Sequence, residues 1–594
     1  MPSIDLNLNS LSIDKSGRAT FSGLGSGIDF RAAVDAIVAA KKIPIDRLER
    51  RISANEAKVA AFQGLRSLLL GLRGAADRLR GAISLDGAGD VFKAKQAFAS
   101  TRRADSTAPS APTDLIGLTV TNAAQATSHG VEIVQVAAAH KVASATVDGA
   151  RGDALGHAGT IEINGRAITI AATDSLLDVR DRINGANTGT DATGVGASVV
   201  SISATEHVLV LTAAKTGADN AIAVADAAGT VLQDLGVTDG GGAFQNELQA
   251  AQNAKLKVDG LAATIERPSN TIDDLFQGVT LSLFKAEPGT TIEVSVERNL
   301  SEVKGAVVGL VDAYNAVRSF INEQVQSKGA TQEDDATYGA LYGASALSDV
   351  RGRLSAVLGA GVEGLAEGFS VLAQIGITVR TGGEVSDPTL ANTLKVDEVK
   401  LDEALLNRPD EVRRLFAFEA SSSSPDVVVL GYGNATRHGA AGYALNVAVS
   451  GGVITSANVG GAADGSDDGS VRVDGRVLTV LTGGAEGLKL LYAGAGDASG
   501  VRLDVTVGFG AQLHRAVDAL VDAGTGLIAN EVSSLEGQNG LAEQRVERLS
   551  ERIERERDRL LARFVAMETA LTTMNRLLES LEQQIDAAFG KDRS

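Results

Sequence analysis

Chemistry in this chain has to come from carboxylates, hydroxyls and six histidines, because there is no cysteine. That absence removes thiolate metal sites, iron-sulfur clusters, cysteine nucleophiles and disulfide scaffolds together. The histidines are His129, His140, His157, His207, His438 and His514, and no two stand four apart, the spacing that puts a metal-binding pair on one helix face. Satisfied or surface histidines are the expectation. The best metal candidate is Asp464-Gly-Ser-Asp-Asp-Gly-Ser470, in which Asp464, Asp468 and Gly469 fit positions one, five and six of a calcium loop. Position twelve is Gly475, where a bidentate glutamate is needed, so a polar turn is expected instead. Asp273 and Asp274 are adjacent and diverge in either a strand or a helix, which makes them a poor acid and base pair. Thr271 to Asp274 reads as a helix start. No nucleophile elbow, phosphate loop or dinucleotide fingerprint is present. The reading assigns no catalytic residue, no metal and no cofactor, and it expects a non-enzyme.

The 594 residues suit roughly three to six domains. With 67 Gly, 9 Pro, 4% aromatics and no Trp, the cores must be built from Ala, Val, Leu and Ile. The net charge of −19 is uneven: residues 1–80 hold 13 Lys and Arg against 8 Asp and Glu, 541–594 come to −1, and the middle carries −23. So acidic a middle repels phosphate backbones, which argues against nucleic acid. No stretch approaches the roughly 18 apolar residues of a membrane span, and the first residues lack the basic-then-apolar order of a secretory signal.

Positioning elements follow from periodicity. Residues 1–20 are polar and aperiodic and read as a tail that orders on binding. Phe21-Ser-Gly-Leu-Gly-Ser-Gly-Ile-Asp29 is a glycine hinge with Asp29 placed to cap a helix from about Phe30. Leu48, Ile52, Val59 and Phe62, then Leu65, Leu69, Leu72, Ala76 and Leu79, keep three-four spacing with one register shift. Residues 95–299 look β-rich. Three of their like segments, two here and one further on, read as strand, tight turn, strand: Ile163-Asn-Gly165, Val258-Asp-Gly260 and Val473-Asp-Gly475. Heptad spacing returns at Leu300, Val303, Val307, Leu310, Tyr314, Val317 and Ile321, so the β region is an insertion between helices. Further helical stretches lie near 344–358 and 397–418, the second with Val399, Leu401, Leu405, Val412, Leu415 and Phe416. Ser421 to Pro425 reads as a linker into a second β insertion, 426–508. From Gln512 the chain turns helical. From Val546 the positions Leu549, Ile553, Leu560, Phe564, Met567, Leu571, Met574, Leu578, Leu581 and Ile585 keep coiled-coil alternation, with one stutter, over a rod of about 60 Å. Such a stripe must find a partner, and burial alone points to a bundle made from the two chain ends. The fold class is therefore multi-domain α+β, a helical bundle or coiled-coil stem formed by both chain ends with β-rich domains inserted between helices.

In order along the chain, several segments resemble the flagellar filament cap, or hook-associated protein 2, family. They include Gly23-Leu-Gly-Ser-Gly-Ile-Asp29, Pro44-Ile-Asp-Arg-Leu-Glu49, Gly130 to Lys141, Asp174 to Asn184, Leu211 to Gly217 and Pro268 to Thr280, then Val311-Asp-Ala-Tyr-Asn315, Gly376-Ile-Thr378, Leu401 to Leu405 and Arg563 onward. No single motif decides; their order does. The resemblance implies a terminal stem docked at the growing filament tip, with β domains spread as a cap under which exported flagellin folds and adds. The implied partners are further copies in a ring, flagellin, neighbouring hook-associated proteins and an export chaperone. The implied place is the extracellular tip, reached through the flagellar export channel without a cleaved signal. Leu24, Ile28, Phe564, Met567, Leu571, Met574 and Leu578 are the expected apolar contacts between subunits or with the filament. The expected domains are a tail and stem helix, 1–44, paired with 548–594; a helical domain of 45–95, 300–420 and 509–547; β-rich domains of 96–135 with 245–299 and of 136–244; and an added module, 421–508. The added module departs from the family pattern, as does the long tail. The alternatives are a tip adhesin using that module on host surface glycans, a hook-filament junction protein, and, last, a surface glycoside hydrolase, for which no convergent carboxylate pair is nominated.

Overall fold

The computed structural model describes residues 11–13, 19–21, 30–81, 89–105, 107–325, 339–365, 369–381, 383–461 and 469–589. Two helices from opposite ends of the chain, Phe30–Leu79 and Leu527–Phe589, organise it. Along the first, Phe62, Leu65, Leu69, Leu72, Ala76 and Leu79 are buried at alternating steps of three and four. This stripe meets the matching one of the central helix Leu300–Val325, where Val303, Val307, Leu310, Tyr314, Val317 and Ile321 are buried. Phe509–Val521 and the start of the C-terminal helix complete one core, against which Ser345–Gly359, Glu398–Asn407 and Pro409–Phe416 also pack. Val399 is exposed although it was read into a helix stripe, because Leu401, Ala404 and Leu405 supply that helix's inner face. Neither long helix breaks at 44/45 or 547/548: Pro44 lies within the N-terminal helix, and stem and helical domain share the same two rods.

The first insertion holds two β units. In one, a five-stranded sheet, ordered Ile265–Arg267, Ala254–Val258, Thr127–Gln135, Thr290–Arg298, Lys95–Arg103, shares a core with the three-stranded sheet Thr271–Phe276, Val279–Leu283, Ile116–Val120. In the other, strands Val195–Ser201, Glu206–Thr216, Ala139–Ala143 and Asn246–Gln249 form a sheet that shares a core with the helix Leu176–Ala186 and a smaller sheet. That helix starts on a reciprocal cap between Ser175 and Asp178. Asn246–Gln249 hydrogen-bonds to Ala139–Ala143, so this strand goes with the second unit although it lies past residue 244.

Three readings are corrected. Thr271 to Asp274 is not a helix start: it lies in a strand whose Ile272 is buried opposite Leu281, a period of two in place of 3.6. Ser421 to Pro425 is not a plain linker, since Phe418–Ser422 is a strand with Phe418 turned inward and Ser421 exposed. Serines on the solvent face hid the alternation. Within the tail, Leu11–Ile13 and Ala19–Phe21 pair antiparallel. The Asn-Gly and Asp-Gly turns behave as expected at Asn164 and Gly165 (φ 46° and 82°) and at Asp259 and Gly260 (φ 51° and 71°). Asp464 and Asp468 of the calcium candidate lie outside the described residues, and Gly469 opens a strand. Among the described residues no group of three or more potential ligands could hold a metal.

The second insertion is an eight-stranded antiparallel sheet: β1 (Phe418–Ser422), β2 (Val427–Gly431), β3 (Tyr443–Ser450), β4 (Val453–Gly461), β5 (Gly469–Asp474), β6 (Val477–Val480), β7 (Lys489–Tyr492) and β8 (Ala498–Val507), in the order β1-β8-β3-β4-β5-β6-β7-β2. It is fixed to the helical domain. Arg515 Nη1 donates to the carbonyls of Asn434 and Thr436 at 3.1 Å each, and Tyr432 Oη donates to the Arg80 carbonyl at 3.2 Å. Asp518 accepts from Arg73 at 2.8 Å and from Asn434 at 3.0 Å. Gly508 sits where a Cβ would come within 2.3 Å of the Phe416 carbonyl carbon, so the junction is closed tightly.

His514 is half-buried beside that junction, with Nε2 3.6 Å from Asp77 Oδ1. Burial first, then the Arg80 charge, hold its pKa below the usual histidine value, against the opposing pull of Asp77 and Asp518. The unfolded chain therefore binds its proton more readily, and this residue's contribution to stability is lost as pH falls through the window just below about 6.5. The thermal midpoint of the full chain is expected to drop between pH 7.5 and 5.5 more steeply than that of His514→Gln; parallel curves would show that His514 contributes nothing.

Candidate assembly surface

Where the two long helices leave the helical domain they run antiparallel. Lys41 pairs with Glu556, Arg51 Nη2 donates to Gln538 Oε1 at 3.0 Å, and Asn55 Nδ2 donates to Asn539 Oδ1 at 2.8 Å. The Lys41 ammonium lowers the Glu556 pKa through its hydrogen bond. The Asn55 and Asn539 side chains are both buried in a largely apolar seam. A polar pair satisfied in only one register selects that register at some cost in stability. The seam is otherwise thin: Ile45 and Ile553 are buried in it, and beside them Asp35, Val38, Lys42, Ser550, Glu554 and Arg557 border a void of about 350 Å³.

With Lys41 opposite Glu556 and equal rise on both helices, Phe30 falls opposite about residue 567. The C-terminal helix runs to Phe589, about 33 Å further. Along that overhang Met567, Met574, Leu577, Leu578, Leu581 and Ile585 are all exposed, Met574 at 57% and Leu577 at 59%. Of the expected contacts, Phe564 and Leu571 are half-buried and Met567, Met574 and Leu578 are exposed, all five on one helix. Leu24 and Ile28 lie outside the described residues. Val565 and Leu577 are exposed too and were not among the expected contacts. Leu577 stands three residues from Met574 and four from Leu581, a signal available in the sequence. A contiguous exposed apolar face of this kind marks an interaction surface.

Other side chains that carried a chemical expectation are occupied structurally. His140 accepts from the Ile222 amide at 2.8 Å through Nδ1, which leaves Nε2 to donate to Glu247 at 3.0 Å. His129 lies flat on Phe276 with Nδ1 2.8 Å from Asp259, whose pKa that contact lowers. Asp274 is clamped by Arg267 at 2.9 to 3.0 Å, which lowers its pKa.

Two family profiles match. The flagellar hook-associated protein 2 C-terminus covers residues 251–576, and the flagellar hook-associated protein 2 N-terminus covers 26–140. This chain belongs to the flagellar hook-associated protein 2 family. It is 27% identical over 420 residues to the A-type flagellar hook-associated protein 2 of Pseudomonas aeruginosa, covering 67% of this chain and 80% of that protein. It is 30% identical over 395 residues to the flagellar hook-associated protein 2 of Escherichia coli strain K12, covering 64% and 77%. The crystal structure of the D1-D2-D3 domains of the flagellar cap protein FliD from Escherichia coli is similar over 60% of this chain and 88% of that one, at 26% identity and a TM-score of 0.43. The unmatched stretch between the profiles, 141–250, corresponds closely to the second β unit, while the eight-stranded module lies inside the C-terminal match.

The two surfaces of the hook-associated protein 2 helices should respond differently to truncation. Leu72→Ala removes a fully buried side chain and should cost about 2–5 kcal/mol in denaturant unfolding of the isolated chain. Leu577→Ala on the overhang should change it by less than about 0.5 kcal/mol. Equal effects would mean that the overhang is already covered within one molecule.

Proposed function

We propose that this hook-associated protein 2 is the structural cap at the distal end of the flagellar filament, where it promotes the folding and insertion of exported flagellin. The observation that carries the reading is the exposed apolar face of Met567, Met574, Leu577, Leu578, Leu581 and Ile585, on a helix that continues about 33 Å past the level of Phe30. It pairs with the acidic character of the middle of the chain, which suits a part facing solvent. The neighbours that supply the missing cover are other copies in a ring-like homo-oligomer, together with adjoining hook-associated proteins and flagellin. Leu24, Ile28, Phe564, Met567, Leu571, Met574 and Leu578 are the proposed contacts, and an export chaperone is the proposed cover for the same helix before secretion. The role is mechanical and not enzymatic, and the chain reaches the extracellular tip through the export channel without a cleaved signal. The domain plan that accompanies it is a stem of 1–44 with 548–594, a helical domain, two β units and an added module. Among the described residues no helix is long and apolar enough to cross a membrane.

Removing 1–29 or 570–594 is expected to leave the β units folded while flagellin is shed as monomer and filaments are lost, as seen by electron microscopy of cells and by immunoblot of the medium. Normal filaments in either strain would refute the capping role.

A further inference from the structure

The second β unit carries a cavity of about 230 Å³, bounded by the segment that leads from strand Ala139–Ala143 to strand Gly159–Ile163. That segment is pinned along its length. Ala145 donates to the Leu235 carbonyl at 2.9 Å, Gly149 to the Thr205 carbonyl at 2.8 Å and Leu155 to the Asp174 carbonyl at 2.9 Å. Between them the Ala150 amide donates to Asp153 Oδ2 at 2.9 Å. Backbone held at these points shapes the cavity before anything enters it, which lowers the cost of binding. Its walls are apolar at Val147, Leu155, Leu176 and Leu235. The charged part of the lining is one-sided, with Asp148, Asp153 and Asp234 against Arg151.

Among the described residues no hydrogen bond reaches the Asp148 carboxylate, and those to Asp153 and Asp234 end on Oδ2, so each of the three keeps an oxygen without a donor. Asp234 Oδ2 accepts from Thr230 Oγ1 at 3.0 Å and lies 3.3 Å from His157 Nδ1. His207 is an independent mark of a ligand. Its ring is only 5% exposed and lines the cavity. Nδ1 lies 2.8 Å from Ser201 Oγ, whereas Nε2 has no hydrogen bond to any described residue. A buried ring nitrogen without a partner calls for one. With Nδ1 donating to Ser201, Nε2 is an acceptor and takes its donor from the cavity. The described residues hold no cluster able to bind a metal ion, so the cation that fits is organic. Carboxylates set among aliphatic walls suit lysine and arginine, whose methylene stems lie on apolar surface while the head meets acids. A cavity of about 230 Å³ is below the roughly 300–1,000 Å³ of drug-sized sites and matches a single side chain.

We propose that this cavity takes one lysine or arginine side chain of a neighbouring polypeptide. The aliphatic stem lies against Val147, Leu155, Leu176 and Leu235, and the head group donates to Asp148, Asp153, Asp234 and His207 Nε2. An ammonium or guanidinium offers several donors from one position, so the histidine and the carboxylates are satisfied together. The site lies within 141–250, which neither family profile covers, and it stands or falls independently of the capping role.

The test uses the full chain and ligand-observed saturation-transfer NMR. The probes are Nα-acetyl-arginine amide, Nα-acetyl-lysine amide, the uncharged isostere Nα-acetyl-citrulline amide, a terminally blocked Gly-Gly-Arg-Gly-Gly peptide and n-butylammonium. The two basic amides and the peptide are expected to bind, and citrulline to bind about tenfold more weakly or not at all. Asp148→Asn combined with Asp234→Asn changes two exposed positions, leaves the fold intact by circular dichroism, and should weaken arginine binding by about tenfold or more. His207→Phe, which keeps a ring and removes Nε2, should weaken it as well. Citrulline binding as tightly as arginine, or a double aspartate variant that binds as well as the parent chain, overturns the proposal. So does binding of n-butylammonium without binding of the peptide, which would give the cavity to a free small amine in place of a side chain.

Discussion

The constraint on which the molecule depends is that two helices whose contacting residues lie 484 to 515 positions apart in sequence must share one apolar seam. An isolated amphipathic helix is marginal in water, so neither rod stands without the other. Their inner halves are secured by the large core around Leu65, Leu69, Leu72 and Leu310. Their outer halves pair with each other across a thin seam, with a void beside Ile45 and Ile553 and a buried asparagine pair in place of further apolar contact. Stability therefore falls along the same continuous rods from the helical domain outward, and the stem is least secured where the exposed face begins.

That constraint governs how everything else is attached. Each insertion leaves and re-enters its host on strands paired with each other: Lys95–Arg103 with Thr290–Arg298, Ala139–Ala143 with Asn246–Gln249, and Phe418–Ser422 with Ala498–Val507. Paired exit and return strands bring the chain ends of a domain within one strand spacing, about 4.8 Å, so the host is interrupted without being pried open. The long helices can then keep their register while some 400 residues are carried between them.

This architecture also decides what could be read from sequence. The stripes of the N-terminal and central helices were legible because nearly every third or fourth position is a large apolar residue, buried from Phe62 to Leu79 and from Val303 to Ile321 and half-buried at Leu48, Ile52 and Val59. The overhang was legible for the same reason, although Val565 and Leu577 fall off the strict heptad and were missed. The errors lie where a side chain's type misreports its face. Ser421 and Ser422 belong to an edge strand whose outer side meets water, and Thr271 to Asp274, expected to start a helix, lies in a strand that buries Ile272. The unit boundary near 245 was set by the pairing of Asn246–Gln249 with a strand a hundred residues earlier, which no local pattern records.

The exposed face of the C-terminal helix carries a further implication. A two-helix coiled coil needs one seam, with apolar residues at two positions in seven. From Met574 to Ile585 the exposed apolar residues are Met574, Leu577, Leu578, Leu581 and Ile585, and the adjacent pair Leu577 and Leu578 widens the stripe beyond a single seam. One added helix would cover the line through Met574, Leu578, Leu581 and Ile585 and leave Leu577 at its edge. A wide stripe is covered fully only when helices meet it from two sides, as in bundles of three or more. The arrangement of these side chains thus favours a stem that converges with several others over one that merely dimerises, which is the geometry a ring of subunits on a tubular filament would impose.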